Sequence, residues 1–259
     1  MTETGLNLYS LRRLIGTEDG FRDTLLALKD MGYAHVQYSG GPYEPERIAR
    51  VSRETGLPIV LTHQPLQRIL EEPDELMREH ESFHCRHIGL GSMPGGLIAD
   101  ASLFRAAADA LEAVCRRMRK NGFTLTYHHH NYEFIRHGNE TAFDYIVNQT
   151  SLDVTVDTYW LQYGGADVLK TVDRLAGRIS CLHLKDYRTN HTVTAEGKHL
   201  YVPGFAPVGD GVLDFAAIMQ HAKAAGTRYY LVEQDDAQDY PDPMEQVRRS
   251  IDYIKNNSL

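Results

Sequence analysis

Short apolar runs alternate along this chain with longer stretches of helical period, and the alternation repeats eight times. The first run, LNLYS at 6–10, precedes a predicted helix at 20–31 with Phe21, Leu25, Leu26 and Leu28 on one face. The second, at 34–38, ends in the turn SGGPYEP and leads into a helix through Ile48 and Val51 that stops at Gly56. The third, LPIVLTH at 57–63, is followed by a helix over about 66–82 that Pro73 interrupts near its start. The fourth, CRHIGLG at 85–91, is followed by an amphipathic helix at 103–120 and by Gly122, which suits a helix end. FTLTYHH, LDVTVD, ISCLHLK and RYYLVEQ complete the set, with helices expected at 143–148, 168–175, 215–225 and 244–254. Strands that alternate with helices pair in parallel through right-handed crossovers, and eight such units close into a (β/α)8 TIM barrel of the α/β class. No linker or composition shift divides the chain, so residues 1–259 are expected to form one barrel domain.

A barrel of this kind carries its chemistry at the C-terminal strand ends. Polar residues interrupt the apolar runs at those places: Tyr9, His63, His128 to Glu133, Asp157 with Trp160, His183 to Asp186, and Glu233 with Gln234. Strand alternation puts Ile179, Cys181 and His183 on one face, and Tyr229, Leu231 and Glu233 on one face. Glu133, Asp157, His183 and Glu233 then form a carboxylate, carboxylate, imidazole, carboxylate set, a hard-donor site for one divalent ion. Mn²⁺ is the first choice, with Mg²⁺, Co²⁺ and Zn²⁺ as alternatives. If Glu133 instead serves as a helix-entry residue, His128 or His130 is the ligand from that segment. Asp157 also suits the cap of a turn before Tyr159, although an Asp closing an apolar strand is costly to bury without a partner. His63, His128, Trp160, Lys185 and Tyr9 are the expected substrate contacts, although Lys185 reads equally as a surface cation or as a group that reaches substrate oxygens, His63 also as a strand-end hydrogen bonder, and Trp160 and Tyr9 also as the mouth of the core.

Composition narrows the classes. At 259 residues, with 42% hydrophobic and 24% charged positions, the chain has globular composition, and no apolar run approaches the roughly 20 residues of a membrane span. The start, MTETGLNLYS, lacks a basic region followed by an apolar stretch, so a cytoplasmic location is expected. Cys85, Cys115 and Cys181 are odd in number and widely spaced, which fits reduced thiols rather than a disulfide framework. A formal net charge of −8 argues against nucleic acid as a partner.

The motifs LNLYSLR, YHHHNYEF, VDTYW, LHLKD, GDGVLDF and LVEQD, in that order, resemble the sugar phosphate isomerase/epimerase family, the xylose isomerase-like TIM barrels, over essentially the whole chain. The resemblance implies a divalent metal held by Glu133, Asp157, His183 and Glu233, with Glu133 and Glu233 each also acting as acid or base. It implies isomerisation or epimerisation of a small sugar or ketosugar derivative by proton abstraction next to a carbonyl, through an enediolate. Trp160 stands where the ketose 3-epimerase branch has a substrate-binding His, and the spacing from Glu133 to Asp157 is shorter than in that branch, so the substrate need not be a free ketose. A lyase or dehydratase acting on a keto-inositol or 3-keto-glycoside would use the same residues. An endonuclease IV-like nuclease is the third reading, kept open by His63, His128 and His130. Residues 188–212 show no periodicity, which fits a lid over the site or a contact in a homodimer, and Gly209–Gly211 offers backbone amides that suit a phosphate.

Overall fold

The structure, a computed structural model, describes residues 2–259. Eight parallel strands close into a barrel: β1 (Thr4–Asn7), β2 (Val36–Tyr38), β3 (Ile59–Gln64), β4 (His87–Leu90), β5 (Thr124–His128), β6 (Asp153–Asp157), β7 (Ile179–Leu184) and β8 (Tyr229–Val232). They stand in sequence order around the ring, and β8 closes on β1 through the pair Gly5 and Leu231. The register of β6 and β7 sets Asp157 directly beside His183. Helices Glu18–Met31, Pro45–Thr55, Ala101–Lys120, Ala142–Gln149, Val168–Arg174, Phe215–Ala224 and Pro243–Asn256 alternate with the strands as the periodicity predicts. Pro73 splits the third helical stretch into Leu66–Glu71 and Pro73–Ser82, because its ring fits a first turn and not a helix interior. Leu26, expected on the buried face of the first helix, is exposed.

Apolar side chains fill two layers. Between strands and helices, one large cluster surrounds β1, β2 and β6 to β8, and a second, built on Phe104, Leu111, Met118 and Tyr127, covers β4 and β5. Inside the barrel a small plug of Val60, Leu61, Cys181 and Leu231 separates the floor from the mouth. The alternation expected on β8 holds, and on β7 it holds from Cys181 onward: Cys181 and Leu231 fill the plug, His183 and Glu233 stand two residues beyond them, and Ile179, expected on the face of Cys181, packs in the outer cluster where the register with β6 shifts. The three cysteines are buried free thiols.

Three segments depart from the expected pattern. The first apolar run is only in part a strand, since Leu8–Leu11 turns into a 3-10 helix that carries Tyr9 to the rim. Directly after β6 comes a short helix, Thr158–Tyr163, started by Asp157 as its N-cap. Residues 188–212, which read as irregular, contain most of an antiparallel hairpin, Asp186–Val193 paired with His199–Ala206. Its polar and apolar residues alternate weakly because both faces of its outer half are exposed.

Candidate metal centre

The ends of β5 to β8 bring His128, Asp157, His183 and Glu233 together at the mouth, each buried, with donor atoms all within 4.8 Å of one another. Asp157 Oδ2 lies 3.5 Å from His128 Nε2 and 3.7 Å from His183 Nδ1, and His183 Nδ1 lies 2.9 Å from Glu233 Oε2. Donors around one ion at bonds of about 2.1 Å stand about 3 to 4 Å apart, so this spacing suits a small divalent cation. The hydrogen-bond inventory agrees. His128 Nε2 and Asp157 Oδ2 are buried with no hydrogen-bond partner, an expensive condition that a shared cation relieves, and His183 Nδ1 meets only the carboxylates, Glu233 Oε2 at 2.9 Å foremost.

The remaining atoms of the four residues are held by the protein. His128 Nδ1 donates to the Gly91 carbonyl at 2.9 Å, which aims Nε2 at the centre. His183 Nε2 donates to Gln37 Oε1 at 2.8 Å, leaving Nδ1 for the centre. Asp157 divides its labour: Oδ1 accepts from the Trp160 amide and caps the helix, while Oδ2 points inward. Asp157 thus makes the cap read from sequence and turns its second oxygen toward the other candidate ligands. Glu233 Oε1 accepts from Asn7 Nδ2 at 2.6 Å, and Asn7 is fixed in turn by Ser39. Gln37 also bridges to His63, its Nε2 lying 3.0 Å from His63 Nε2. The His63 ring fits because β4 has glycine opposite it: a Cβ at Gly89 would stand 2.8 Å from His63 Cδ2.

Lys185 is the one lysine or arginine among the residues lining the cavity above this centre, a space of about 410 Å³. The side chain is buried, with Nζ 3.5 Å from Asp157 Oδ2, 3.4 Å from Glu233 Oε2 and 2.8 Å from Asp235 Oδ1. Burial works against its charge, but these three carboxylates outweigh that and raise its pKa, so it remains an ammonium at any ordinary pH. Burial likewise opposes ionisation of Asp157 and Glu233, and Lys185 with the neighbouring imidazoles holds both far below the usual carboxylate range. Burial disfavours the imidazolium of His183, yet Glu233 foremost pushes its pKa well up, so a proton and a cation compete for Nδ1. Over Lys185 lie Trp160, Phe205 and Tyr159, ring centroids 5.0, 5.1 and 6.0 Å from Nζ, with Phe205 supplied by the hairpin.

Of the residues singled out from sequence, Asp157, His183 and Glu233 converge, and Glu133 does not join them. Its place is taken by His128, which had been expected to contact substrate. Glu133 lies five residues past the end of β5 in a 3-10 turn, where Oε1 accepts from Tyr127 Oη at 2.9 Å and Oε2 from the His130 amide at 2.7 Å. Tyr127 belongs to the outer apolar cluster, so its hydroxyl holds Glu133 on the helix side of the strand. Burial pushes the Glu133 carboxyl up to about 7 despite both bonds. It braces the turn that carries His128 and His130. His63, Lys185 and Tyr9 line the cavity, with Arg12 stacked 4.0 Å from the Tyr9 ring centroid. Trp160 packs on His130 and over Lys185, outside the set of lining residues. The amides of Gly209 and Gly211 do not face the cavity as a phosphate cradle: each donates at 2.9 Å to Asp186 Oδ2, and Leu213 donates to Oδ1. Asn7, Gln37, Ser39 and Asp235 are additions that sequence reading missed.

Known proteins place this geometry in context. The sequence profile of xylose isomerase-like TIM barrels matches residues 25–257. An inosose dehydratase of Geobacillus thermodenitrificans is 27% identical over 157 residues, 57% of this chain and 52% of that protein; the chain thus aligns with about half the length of this relative. In fold, the barrel superposes on a sugar phosphate isomerase/epimerase from Parabacteroides distasonis with a TM-score of 0.78 at 19% identity, covering 98% of this chain and 94% of that one. A xylose isomerase-like TIM barrel protein from Mycobacterium smegmatis, solved in complex with magnesium, superposes with a TM-score of 0.72 at 14% identity, covering 98% and 95%. With a matched span that runs from the first helix to the last, and with the closed eight-stranded barrel it requires, the chain belongs to the xylose isomerase-like TIM barrel family.

Proposed function

We propose that this protein is a divalent-metal-dependent enzyme that removes a proton next to a carbonyl of an uncharged keto-polyol and then expels a β-hydroxyl, a dehydratase on a keto-inositol or related ketosugar. The observation that carries the reading is the convergence of four buried donor atoms, from His128, Asp157, His183 and Glu233, at the base of a cavity, with His128 Nε2 and Asp157 Oδ2 lacking any hydrogen-bond partner. These four residues would hold the cation. Two imidazoles in the set favour Mn²⁺, Co²⁺ or Zn²⁺ over Mg²⁺, and we retain Mn²⁺ as first choice. Such a cation, when bound, stabilises the negative charge that builds on a carbonyl oxygen as the neighbouring proton leaves.

The chain's own residues supply the rest. Glu233, kept ionised by Lys185 and His183 and oriented by Asn7 at Oε1, takes the α-proton and returns it to the departing β-hydroxyl, which leaves as water. Lys185 stays charged and attracts the developing oxyanion, so it acts as an electrostatic partner rather than a proton donor. Trp160, Phe205 and Tyr159 above it exclude water and strengthen that attraction. Inversion of a carbon needs a second proton-moving group on the opposite face, and Glu133, the expected second carboxylate, is engaged elsewhere. This favours elimination. Epimerisation or isomerisation is the second reading, favoured by one observation: Asp235 also lines the cavity and supplies another carboxylate. An uncharged substrate is supported by a single lining cation already shared among three carboxylates, and by the glycine amides that Asp186 occupies. The same charge balance, and a single group of three or more potential ligands among the described residues, speaks for one metal and against a nuclease.

The test is incubation of the Mn²⁺-loaded protein with keto-inositols and ketohexoses in D₂O, followed by NMR. Elimination product with loss of the α-proton is expected. Deuterium at the α-carbon without elimination would replace the dehydratase by the epimerase or isomerase, and the absence of any α-exchange would overturn the whole reading.

A further inference from the structure

Asp235 is a third carboxylate beside the centre, which the proposed elimination leaves unused. It stands two residues beyond Glu233, lines the cavity, and its Oδ1 makes the shortest contact of Lys185, 2.8 Å against 3.4 and 3.5 Å to Glu233 and Asp157. Its surroundings are fixed: the Asp235 carbonyl accepts from Arg12, whose guanidinium stacks on Tyr9. Asp157, Glu233 and Asp235 carry three negative charges and Lys185 one positive charge, while the histidines must be neutral to bind a metal. The sum is −2, the complement of one divalent cation.

We propose that Asp235 and Lys185 form a charge-balancing pair for the metal centre, in which Lys185 competes with the cation for Asp157 and Glu233, and Asp235 draws the ammonium away from them. The inference rests on the metal reading above. A dication held by Asp157 and Glu233 repels an ammonium about 3.5 Å from their oxygens. Asp235 is the carboxylate outside the four ligands that can keep that ammonium buried in the cavity, below the Trp160, Phe205 and Tyr159 rings, where an uncharged substrate with a developing oxyanion meets it. Asp235 is thus a positioning residue for Lys185, and together they set how tightly the metal is held and with what total charge.

The pair predicts opposite effects of its two members on metal affinity, with no substrate present. In calorimetric titration of the full chain with Mn²⁺, Lys185→Met should tighten binding by about tenfold or more, because a competing cation is gone. Asp235→Asn should weaken it by about tenfold, because the ammonium is left to Asp157 and Glu233. The melting temperature of Lys185→Met should also rise more on Mn²⁺ addition than that of the wild type. Should Lys185→Met not fold, the near-isosteric Asp235→Asn carries the test alone. Wild-type affinity in both variants, or the same sign of change in both, overturns the pair. If the wild type binds no Mn²⁺, or if Asp157→Asn leaves its binding unchanged, the metal reading itself fails, a result distinct from the first.

Discussion

Histidines occupy both ends of this barrel, and the two ends treat them differently. At the floor, His35 and His87 both pack edge-on against Tyr229, with ring centroids 5.4 and 5.3 Å away. Each leaves one buried nitrogen without a partner, and burial lowers each pKa to about 4. At the mouth, His128 and His183 are as buried, but there one nitrogen of each faces carboxylates, His183 Nδ1 lying 2.9 Å from Glu233, and the opposite nitrogens are pinned by Gly91 and Gln37. Burial alone therefore makes a neutral spacer of a histidine. A facing carboxylate and a fixed tautomer suit it to hold a cation.

Several substitutions would break or sharpen this contrast. The largest effect is expected at the mouth, where Glu233→Gln should lower kcat/KM on the keto-polyol substrate by about 10³-fold with the fold retained, as measured by steady-state kinetics and circular dichroism. A variant within tenfold of the wild type would remove Glu233 from the chemistry. Gln37→Leu, which frees the His183 ring, should weaken Mn²⁺ binding by about 10- to 100-fold, whereas His87→Leu at the floor should leave that binding alone. Equal losses in the two would erase the distinction between the ends. Phe205→Ala, which opens the aromatic cover, should cost about tenfold in kcat/KM through water entry, read beside an unchanged Mn²⁺ affinity. The smallest effect belongs to the floor. With pKa values depressed from 6.5 to about 4, His35 and His87 bind protons more readily in the unfolded chain, so stability is full above pH 6.5 and falls as pH drops from 6.5 toward 4. The slope is about 1.4 kcal/mol per pH unit for each imidazole, and urea titrations of His87→Leu should show a shallower slope.

Much of this was legible in the chain. Eight strand and helix units follow from apolar periodicity, because each strand is buried on both faces and each helix on one. Asp157, His183 and Glu233 were legible for the same reason: each ends a regular strand, so alternation fixes its direction. Glu133 misled because it lies past the strand, where parity no longer holds and a tertiary bond from Tyr127 decides. The signal for His128 was present. It shares the inward face of β5 with Thr126, whose hydroxyl meets Thr155 inside the barrel, as His183 shares one with Cys181. Asn7 and Gln37 lie on strands too short to show a pattern of their own, Ser39 lies just past one, and their role rests on contacts 26 to 226 residues apart along the chain. The hairpin escaped notice because its outer half has no buried side to impose alternation.

Asp186 ties both roots of that hairpin together. Its carboxylate collects the amides of Tyr187, Gly209, Gly211 and Leu213, at a spot so tight that any side chain at Gly211 would strike it. A loop clamped at its base transmits little of what happens at its tip. The turn at 194–198 is thus a place where residues can be inserted, deleted or exchanged without moving Phe205 or the ligands below it. On such a scaffold, the tip of the hairpin can diversify while the cluster at the barrel mouth stays where it is.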